Sequence, residues 1–452
     1  SVTVNVKLKV NTPYRVRITL DGEVAELEAS DTVIHTFTLN NPKLWNAETP
    51  NLYDLYIELL NDDGVFEAHS KRVGIMHTRI QGNKLLVNEK PIYVKGINRH
   101  ENDPWNGRTM TVSQIEKDLK MIKANNLNAI RLAHYPNDPA TYEIAAEIGL
   151  YLMDEADLES HGAYIANNDQ GYLSKSPEWF PAYKDRVTRM LERDKNEVAV
   201  FLWSTGNEIG RGENNTKCYH LVREFDPTKE CRLSGDQEAY CGIKMLGYYP
   251  MSTVEEVEDT HPVLCYEYGH AMGNSPGTLA DYWDFNYNNE KMLGGFAWEF
   301  RSHGFGCRDK DGKVFMKYGG DFEGEITHDG PFCCDGILFA DRTFRGGTYE
   351  MIAAYAPYRF KINGKKLVVT NYFDFTNLSE YDFRYVISVD GQIIEEKTVN
   401  IDVKPYETAE IPFDAKIPVN CKYGCYAVLY MLDKNGNEMA HLQQEIPCLL
   451  TF

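Results

Sequence analysis

Along residues 1–76, polar and apolar side chains alternate with period two in SVTVNVKLKV, YRVRITL, HTFTL and LYDLYIELL. Such alternation turns one face of a strand toward a core and the other toward water. Four or five strands of this kind, separated by Gly, Asp and Pro positions, predict a small β-sandwich or part of one.

The pattern changes near Tyr93. YVKGI is a short apolar strand, and Thr111-Val112-Ser113-Gln114 has the form of a helix start, followed by Ile115, Leu119, Met121 and Ile122 near the helical period. NAIRL (128–132) predicts a second strand, Pro139 to Ile148 a helix and LYLMD (150–154) a third strand. Residues 178–195 predict a helix and AVFLWST (199–205) a fourth strand. Cys231 to Ser234, Met245 to Tyr249, Val263 to Glu267 and Gly295 to Trp298 bring the strands to eight. Eight apolar strands with helical or loop connections over about 250 residues have the size and rhythm of a (β/α)8 TIM barrel. A doubly wound sheet stays open as the alternative, because short apolar runs do not reveal closure. The lack of an early GxGxxG turn counts against its dinucleotide-binding form.

From about Tyr355 the helices stop. KLVVTNYF, YDFRYVISVDGQIIEEKTV, TAEIPF and GCYAVLYMLDKNGNEMAHLQQEI alternate again, broken by DG and NG turns, and predict a second sandwich. The expected organisation is thus a β-sandwich over 1–76, a barrel over 77–355 and a C-terminal sandwich over 356–452.

Composition narrows the partners. With 43% hydrophobic and 25% charged residues in 452, the chain is core-forming rather than disordered. Its 47 basic and 67 acidic residues give a formal charge of −20, a field that repels nucleic acid and anionic membrane surfaces. No apolar run approaches the roughly 18 residues of a membrane span, and Ser1 to Val10 read as a strand rather than a signal peptide. The ten cysteines include no CxxC pair, and Cys333-Cys334 are adjacent rather than metal-spaced. Sequestered thiols in a reducing, cytoplasmic compartment are expected in preference to a disulfide framework.

The informative polar residues follow the predicted barrel strands, whose C-terminal ends converge on one mouth. Strand 1 leads to Asn98-Arg99-His100-Glu101-Asn102, strand 2 to Arg131 and His134-Tyr135, and strand 3 to Asp154-Glu155, Glu159 and His161. Strand 4 ends in Asn207-Glu208, strand 7 in Glu267-Tyr268-Gly269-His270 and strand 8 in Trp298-Glu299. Glu208 and Glu267 would face each other across the mouth. Paired carboxylates suit glycoside hydrolysis, where one carboxyl donates a proton and the other attacks or activates water. Read alone, the two could also be structural ion-pair or capping acids. Glu159 and His161, with Glu208 nearby, could hold Mg²⁺ or form a hydrogen-bonded pair. Trp105, Tyr135, Tyr249, Tyr268, Trp298 and Phe332 lie near mouth loops, where aromatic faces would stack on sugar rings; Trp203 and Trp179 read as core.

These residues sit in stretches that strongly resemble glycoside hydrolase family 2, specifically its large bacterial-type β-galactosidases. The matching runs are NPKLWNAETPNLYDL, VKGINRHENDP, NLNAIRLAHYPNDP, GLYLMDEADLESHG, VTRMLERDKNEVAVFLWSTGNEIGRG, VLCYEYGHAMGNSPG, GGFAWEF, YGGDF and GILFADRT. The resemblance implies a retaining double displacement on terminal β-D-galactose, with Glu208 as acid/base, Glu267 as nucleophile and Tyr249 bonded to the nucleophile. It implies a sugar subsite lined by His100, Asn102, Arg131, His134, Asn207, His270 and Trp298. It also implies Mg²⁺ at Glu159, His161 and Glu208, and Na⁺ at Asp329, Phe332 and Asp335, the last standing where an Asn is usual. It gives the flanking sandwiches an immunoglobulin-like form. In the family, a jelly-roll domain precedes this region, a large domain follows it, and the full-length form is a homo-oligomer. A β-glucuronidase is the related alternative, although its Asn-x-Lys pattern is not evident in the expected loop. A non-catalytic carbohydrate-binding fragment is the alternative of another class.

Overall fold

Eight parallel strands make the centre of the molecule in the computed structural model, which describes residues 2–7, 14–234, 242–255, 261–274, 276–324, 330–415 and 417–450. They are β1 (Val94–Arg99), β2 (Ala129–Leu132), β3 (Tyr151–Glu155), β4 (Val200–Ser204), β5 (Glu230–Arg232), β6 (Lys244–Gly247), β7 (Val263–Tyr268) and β8 (Met292–Ala297). β1 pairs with β2, Gly96 opposite Ala129, and also with β8, Val94 opposite Gly294. First and last strands meet only when a sheet curls into a barrel, so the TIM barrel stands and the doubly wound alternative falls. β5 and β6 end the hydrogen-bonded order, and residues 235–241 between them lie outside the described residues.

Every residue of β1, β2, β3, β4 and β8 is buried, which is why these strands lack the alternation of a half-exposed strand. Gly96 is needed for close packing, since a Cβ there would stand 2.4 Å from the Phe296 ring. The helix Val112–Ala124 opens with a Thr111–Gln114 capping box and buries Ile115, Leu119 and Ile122. The helix Pro139–Ile148 opens on Asp138 and closes on Gly149 at φ +79°. The helix Phe180–Asp194 packs through Tyr183, Val187, Met190 and Leu191. Trp179, expected in the core, is instead 44% exposed. It ends a short 3₁₀ turn before that helix, off its buried face.

Among the described residues the N-terminal unit has six strands. Val2–Lys7 pairs with Thr32–Phe37, while Glu23–Glu28, Arg15–Leu20, Tyr53–Asn61 and Gly64–Val73 form a second sheet in that order. Val4, Val16, Ile18, Leu20, Val33, Phe37 and Leu59 form its core. Glu23–Glu28 and Gly64–Val73 are edge strands with largely exposed side chains, so no clear apolar alternation marks them in sequence. Trp45, just beyond this unit, is wholly buried in the barrel's core cluster and donates to the Ala146 carbonyl at 2.8 Å.

The C-terminal unit packs Tyr358–Asn363, Lys366–Asn371 and Thr408–Pro412 with a four-stranded sheet ordered Gln392–Val399, Asp382–Val389, Cys425–Leu432 and Glu438–Glu445. Tyr358, Leu367, Val369, Phe383, Ile387, Leu429 and Met431 form its core. It docks on the barrel where Lys95 Nζ donates to the Tyr372 carbonyl at 2.8 Å, and Glu48, in the segment before the barrel, accepts the amides of Asp374, Phe375 and Thr376 at 2.7–3.0 Å.

One cysteine expectation is corrected. Cys421 and Cys448 form a disulfide, brought together where Asn420–Cys421 pairs with Leu449–Leu450. Their separation of 27 residues gave no hint of this contact. Cys218, Cys265 and Cys425 are buried free thiols. Replacing both Cys421 and Cys448 by Ala will cost the C-terminal unit about 2–4 kcal/mol in urea unfolding, by releasing the denatured loop. Equal midpoints for variant and parent would show that the bridge does not stabilise the unit.

Candidate active site

An arginine inside an apolar strand must bring its partners with it, because an unpaired buried charge is prohibitively costly. Arg131 on β2 is wholly buried. Its Nε and Nη2 donate to the two Glu155 oxygens at 2.9 Å each, and its Nη1 to Asn98 at 3.0 Å. Nη1 also reaches Glu267 Oε1 at 2.6 Å, and Nη2 reaches Asn207 Oδ1 at 2.9 Å. Glu155 further accepts from Ser204 Oγ at 2.7 Å and Arg232 at 3.3 Å, and its Oε1 is 2.8 Å from His134 Nδ1. Burial alone would raise the Glu155 carboxyl, but Arg131, His134 and Arg232 hold it far below the usual carboxylate range. This hub ties the ends of β1, β2, β3, β4, β5 and β7 together. It also corrects the reading of Arg131 as a sugar contact: its donors are spent on protein acceptors inside the barrel.

Glu208 follows β4 and lies at the other side of Asn207 from the hub. Gly206, at φ +141°, lets the chain pass Leu158, whose carbonyl would stand 2.7 Å from a Cβ there. Asn207 donates to Glu159 Oε2 at 2.8 Å, and Glu208 adopts a left-handed φ of +43°. For a glutamate that is an uncommon, strained conformation of the kind that clusters at functional sites. Glu208 Oε2 is 2.5 Å from His161 Nδ1. Glu159, His161 and Glu208 each offer a ligand atom, all within 4.8 Å of one another, and all three are exposed. Glu267, by contrast, is only 7% exposed.

Several of the remaining predicted residues pack together beside this pair. The Trp298 ring stacks on His134 at 5.2 Å and 8°, and His100 stands edge-on to Trp298, His134 and His303. Tyr135 anchors His100 through its hydroxyl at 3.3 Å. Burial holds the His100 imidazole well below its ordinary value, in the neutral form. Asn102 is buried, and its carbonyl accepts from Arg301. His270 packs on the exposed Phe332 at 5.3 Å. Asp335 is buried and accepts from Trp298 Nε1 at 2.7 Å. Asp329 lies outside the described residues. Trp105 is exposed, and Tyr268 turns inward, its hydroxyl meeting Tyr355 and Trp283 rather than the mouth.

Tyr249 is also corrected. It is buried, and its hydroxyl donates to Met292 Sδ at 3.8 Å. Tyr248 is the tyrosine beside Glu267, whose carboxylate acts on its hydroxyl. Its amide donates to the Glu267 carbonyl at 2.8 Å and its φ of +46° swings the ring toward the mouth. Partial burial and the neighbouring carboxylate push its hydroxyl well up, so it stays a donor. Tyr248→Phe will lower turnover about 10–100-fold at unchanged melting temperature, whereas Tyr249→Phe will leave turnover near the parent's. The opposite order would return the role to Tyr249.

Sequence reasoning missed the hub role of Glu155, and it missed His303 and the partnership of Glu299 with Asp335. An acid within an apolar strand, with arginines inside two other strands, was the available signal for Glu155. His303 Nε2 is 3.1 Å from Glu299 Oε2; burial raises the Glu299 carboxyl, and burial together with the neighbouring Glu299 raises that of Asp335. No local pattern announced that contact.

Comparison with known proteins follows this geometry. Residues 78–360 match the profile of the glycosyl hydrolases family 2 TIM barrel domain, residues 1–75 that of glycosyl hydrolases family 2, and residues 367–446 that of β-galactosidase domain 4. Among solved structures, a GH2 β-galacturonidase from Eisenbergiella tayi bound to galacturonate is 20% identical, with TM-score 0.59, covering 76% of this chain and 66% of that one. β-Glucuronidase 3 of Bacteroides uniformis is 15% identical, with TM-score 0.64, covering 99% of this chain and 61% of that one. A Lactobacillus rhamnosus β-glucuronidase is 22% identical, with TM-score 0.60, covering 78% and 65%. These likenesses concern the fold, and the chain spans under two thirds of each of the three. With the barrel profile matched over well more than half of its length, the chain belongs to glycosyl hydrolase family 2.

Proposed function

We propose that this chain carries the active site of a retaining exo-β-glycosidase whose sugar is a terminal β-D-galactose. The observation that carries the reading is the Arg131 bridge, with Glu267 on one side and Asn207, next to Glu208, on the other. It sets two carboxylates in unlike surroundings, one buried against a guanidinium and one open to the mouth, as unequal roles require. Glu267 attacks the anomeric carbon while Glu208 protonates the departing glycosidic oxygen. Glu208, now ionised, then takes a proton from water as that water attacks the same carbon and releases Glu267. Tyr248 donates to Glu267 and holds it in line. Trp298 and His134 offer a face to the sugar ring, and His100, Asn102, Asn207 and His270 are placed to meet its hydroxyls.

Glu159, His161 and Glu208 fit Mg²⁺: hard carboxylate oxygens and one imidazole, exposed enough for water to complete the shell. When bound, the ion supplies fixed positive charge beside Glu208. The domain 4 match and the acidic Glu299–Asp335 wall support a neutral sugar. A hexuronide is the second reading, supported by the β-glucuronidases and β-galacturonidase among the structures of like fold.

Hydrolysis of nitrophenyl β-galactoside, β-glucuronide and β-galacturonide, with and without EDTA, tests the reading. The β-galactoside is expected to react fastest, with chelation lowering its rate about tenfold and Mg²⁺ restoring it. A faster uronide establishes the second reading. No turnover by folded protein leaves a carbohydrate-binding site and overturns the hydrolase reading for this chain.

A further inference from the structure

We propose that Asp118, on the outer helix Val112–Ala124, is a positioning residue for sugar binding: through three arginines it fixes the mouth loop that carries His100 and Asn102. This deepens the galactoside reading and rests on it for the choice of sugar. The buried face of that helix is otherwise apolar, with Ile115, Leu119 and Ile122, and Asp118 is wholly buried among them. A carboxylate so placed must be paired. Its Oδ1 accepts from Arg342 Nε at 2.5 Å, while its Oδ2 accepts from Arg99 Nη2 at 3.4 Å and lies 3.6 Å from Arg301 Nη2. Burial lowers the Arg301 guanidinium to about 10; Asp118 opposes the fall, and Arg342 and Arg99 add to it. Three guanidiniums thus share one anion, the reverse of the hub in which Arg131 gathers acids.

These arginines also hold the mouth. Arg301 Nη2 donates to the Asn102 carbonyl, and its Nη1 to that of Ala340 at 3.2 Å. Arg342 Nη1 lies 3.6 Å from Asp103 Oδ2, and Asp103 Oδ1 accepts the Trp105 amide at 3.0 Å. Asp103 and Gly107 close the loop by exchanging backbone hydrogen bonds at 2.7 and 2.9 Å. Arg342 itself has a left-handed φ of +74°, an uncommon conformation that persists where the surroundings hold it. Asp118 therefore joins the loop after β1 to the chain after β8 and to Arg342. Without its charge, the three guanidiniums face only Asp103 and Glu101, the latter 3.7 Å from Arg99. Their repulsion then loosens the loop that presents His100 and Asn102. Glu267 and Asn207 are held by a different set of residues around Arg131. Loss of Asp118 should accordingly weaken sugar binding and leave the attacking and protonating groups in place, which raises KM and spares kcat.

The test compares the parent chain with Asp118→Asn, which keeps the shape and removes the charge, and with Arg342→Gln, which removes one arm of the cluster. Both variants are expected to raise KM for nitrophenyl β-galactoside, and to weaken calorimetric binding of D-galactose, by about tenfold, with kcat within about threefold of the parent's. Amide hydrogen exchange, read by mass spectrometry, should quicken about fivefold or more over residues 102–107 and stay at the parent's rate in β3 and β4. A KM and a galactose affinity within about twofold of the parent's in both folded variants overturn the inference. So does a fall in kcat at unchanged KM, or faster exchange throughout the barrel, either of which makes Asp118 a structural residue only. If Asp118→Asn does not fold, Arg342→Gln decides by the same readouts. If the parent prefers the uronide, galacturonate takes the place of galactose in the same comparison. A parent that binds galactose yet turns over no glycoside sinks the hydrolase reading, and weaker binding by the variants still upholds this inference. Binding of neither sugar by the parent overturns both.

Discussion

Glu267→Gln is expected to turn over nitrophenyl β-galactoside at least about 10³-fold more slowly than the parent, with its fold intact. The substitution keeps the shape of the side chain and a hydrogen-bond acceptor for Arg131, so the barrel mouth is preserved while the attacking oxygen is lost. Glu208→Ala should lose about 10²–10⁴-fold on a glycoside with a poor leaving group and far less on a nitrophenyl glycoside, whose first step needs no proton. Azide separates the two roles. In Glu267→Ala, azide enters the vacated face and gives the α-glycosyl azide. In Glu208→Ala, azide attacks the covalent intermediate and gives the β-glycosyl azide. Identification of the products by NMR checks the assignment, and the reverse pattern would exchange the two glutamates.

Arg131→Met is expected to cost about 3–5 kcal/mol of barrel stability, because it strands Glu155, and leaves Glu267 without its counter-charge, in a buried site. Turnover should fall with it, since Glu267 and Asn207 are both aimed by that one guanidinium. Arg131→Lys should rescue little: a single ammonium cannot reproduce a planar fork serving Glu155, Asn98, Glu267 and Asn207 together. Urea unfolding of Arg131→Met, Glu155→Gln and the double variant measures the coupling. If the double variant is no better than the sum of the two singles, Arg131 and Glu155 act independently and the hub does not exist as described. A stability change below about 0.5 kcal/mol for Arg131→Met would refute the buried-pair argument outright.

Much of the architecture was legible because its signals are local. The capping box at Thr111 and Gln114, the proline that starts the helix at 139, and the short, mainly apolar runs of β1 to β4 each declare an element within a few residues. Strand ends were legible for the same reason, and with them Glu208, Glu267, His134 and Trp298 as mouth residues. The two edge strands of the N-terminal unit were not, because an edge strand buries too little to show a clear alternating face.

The sequence by itself therefore determined the order of the barrel strands, several of the residues delivered to the barrel mouth, and the family resemblance they carry. Tertiary structure alone decided which of those residues touch. Tyr248 rather than Tyr249 reaches Glu267 because one left-handed residue reverses the facing of the chain after β6. Arg131 lies 136 positions from Glu267 and 24 from Glu155, and only closure of the barrel makes it the inner link between them instead of a sugar contact. Asp335 meets Trp298 across 37 positions, and Cys421 meets Cys448 across 27. Periodicity records which way a side chain faces its own element. It carries no term for the distance between two elements, and that distance is what decides an ion pair, a shared proton or a disulfide.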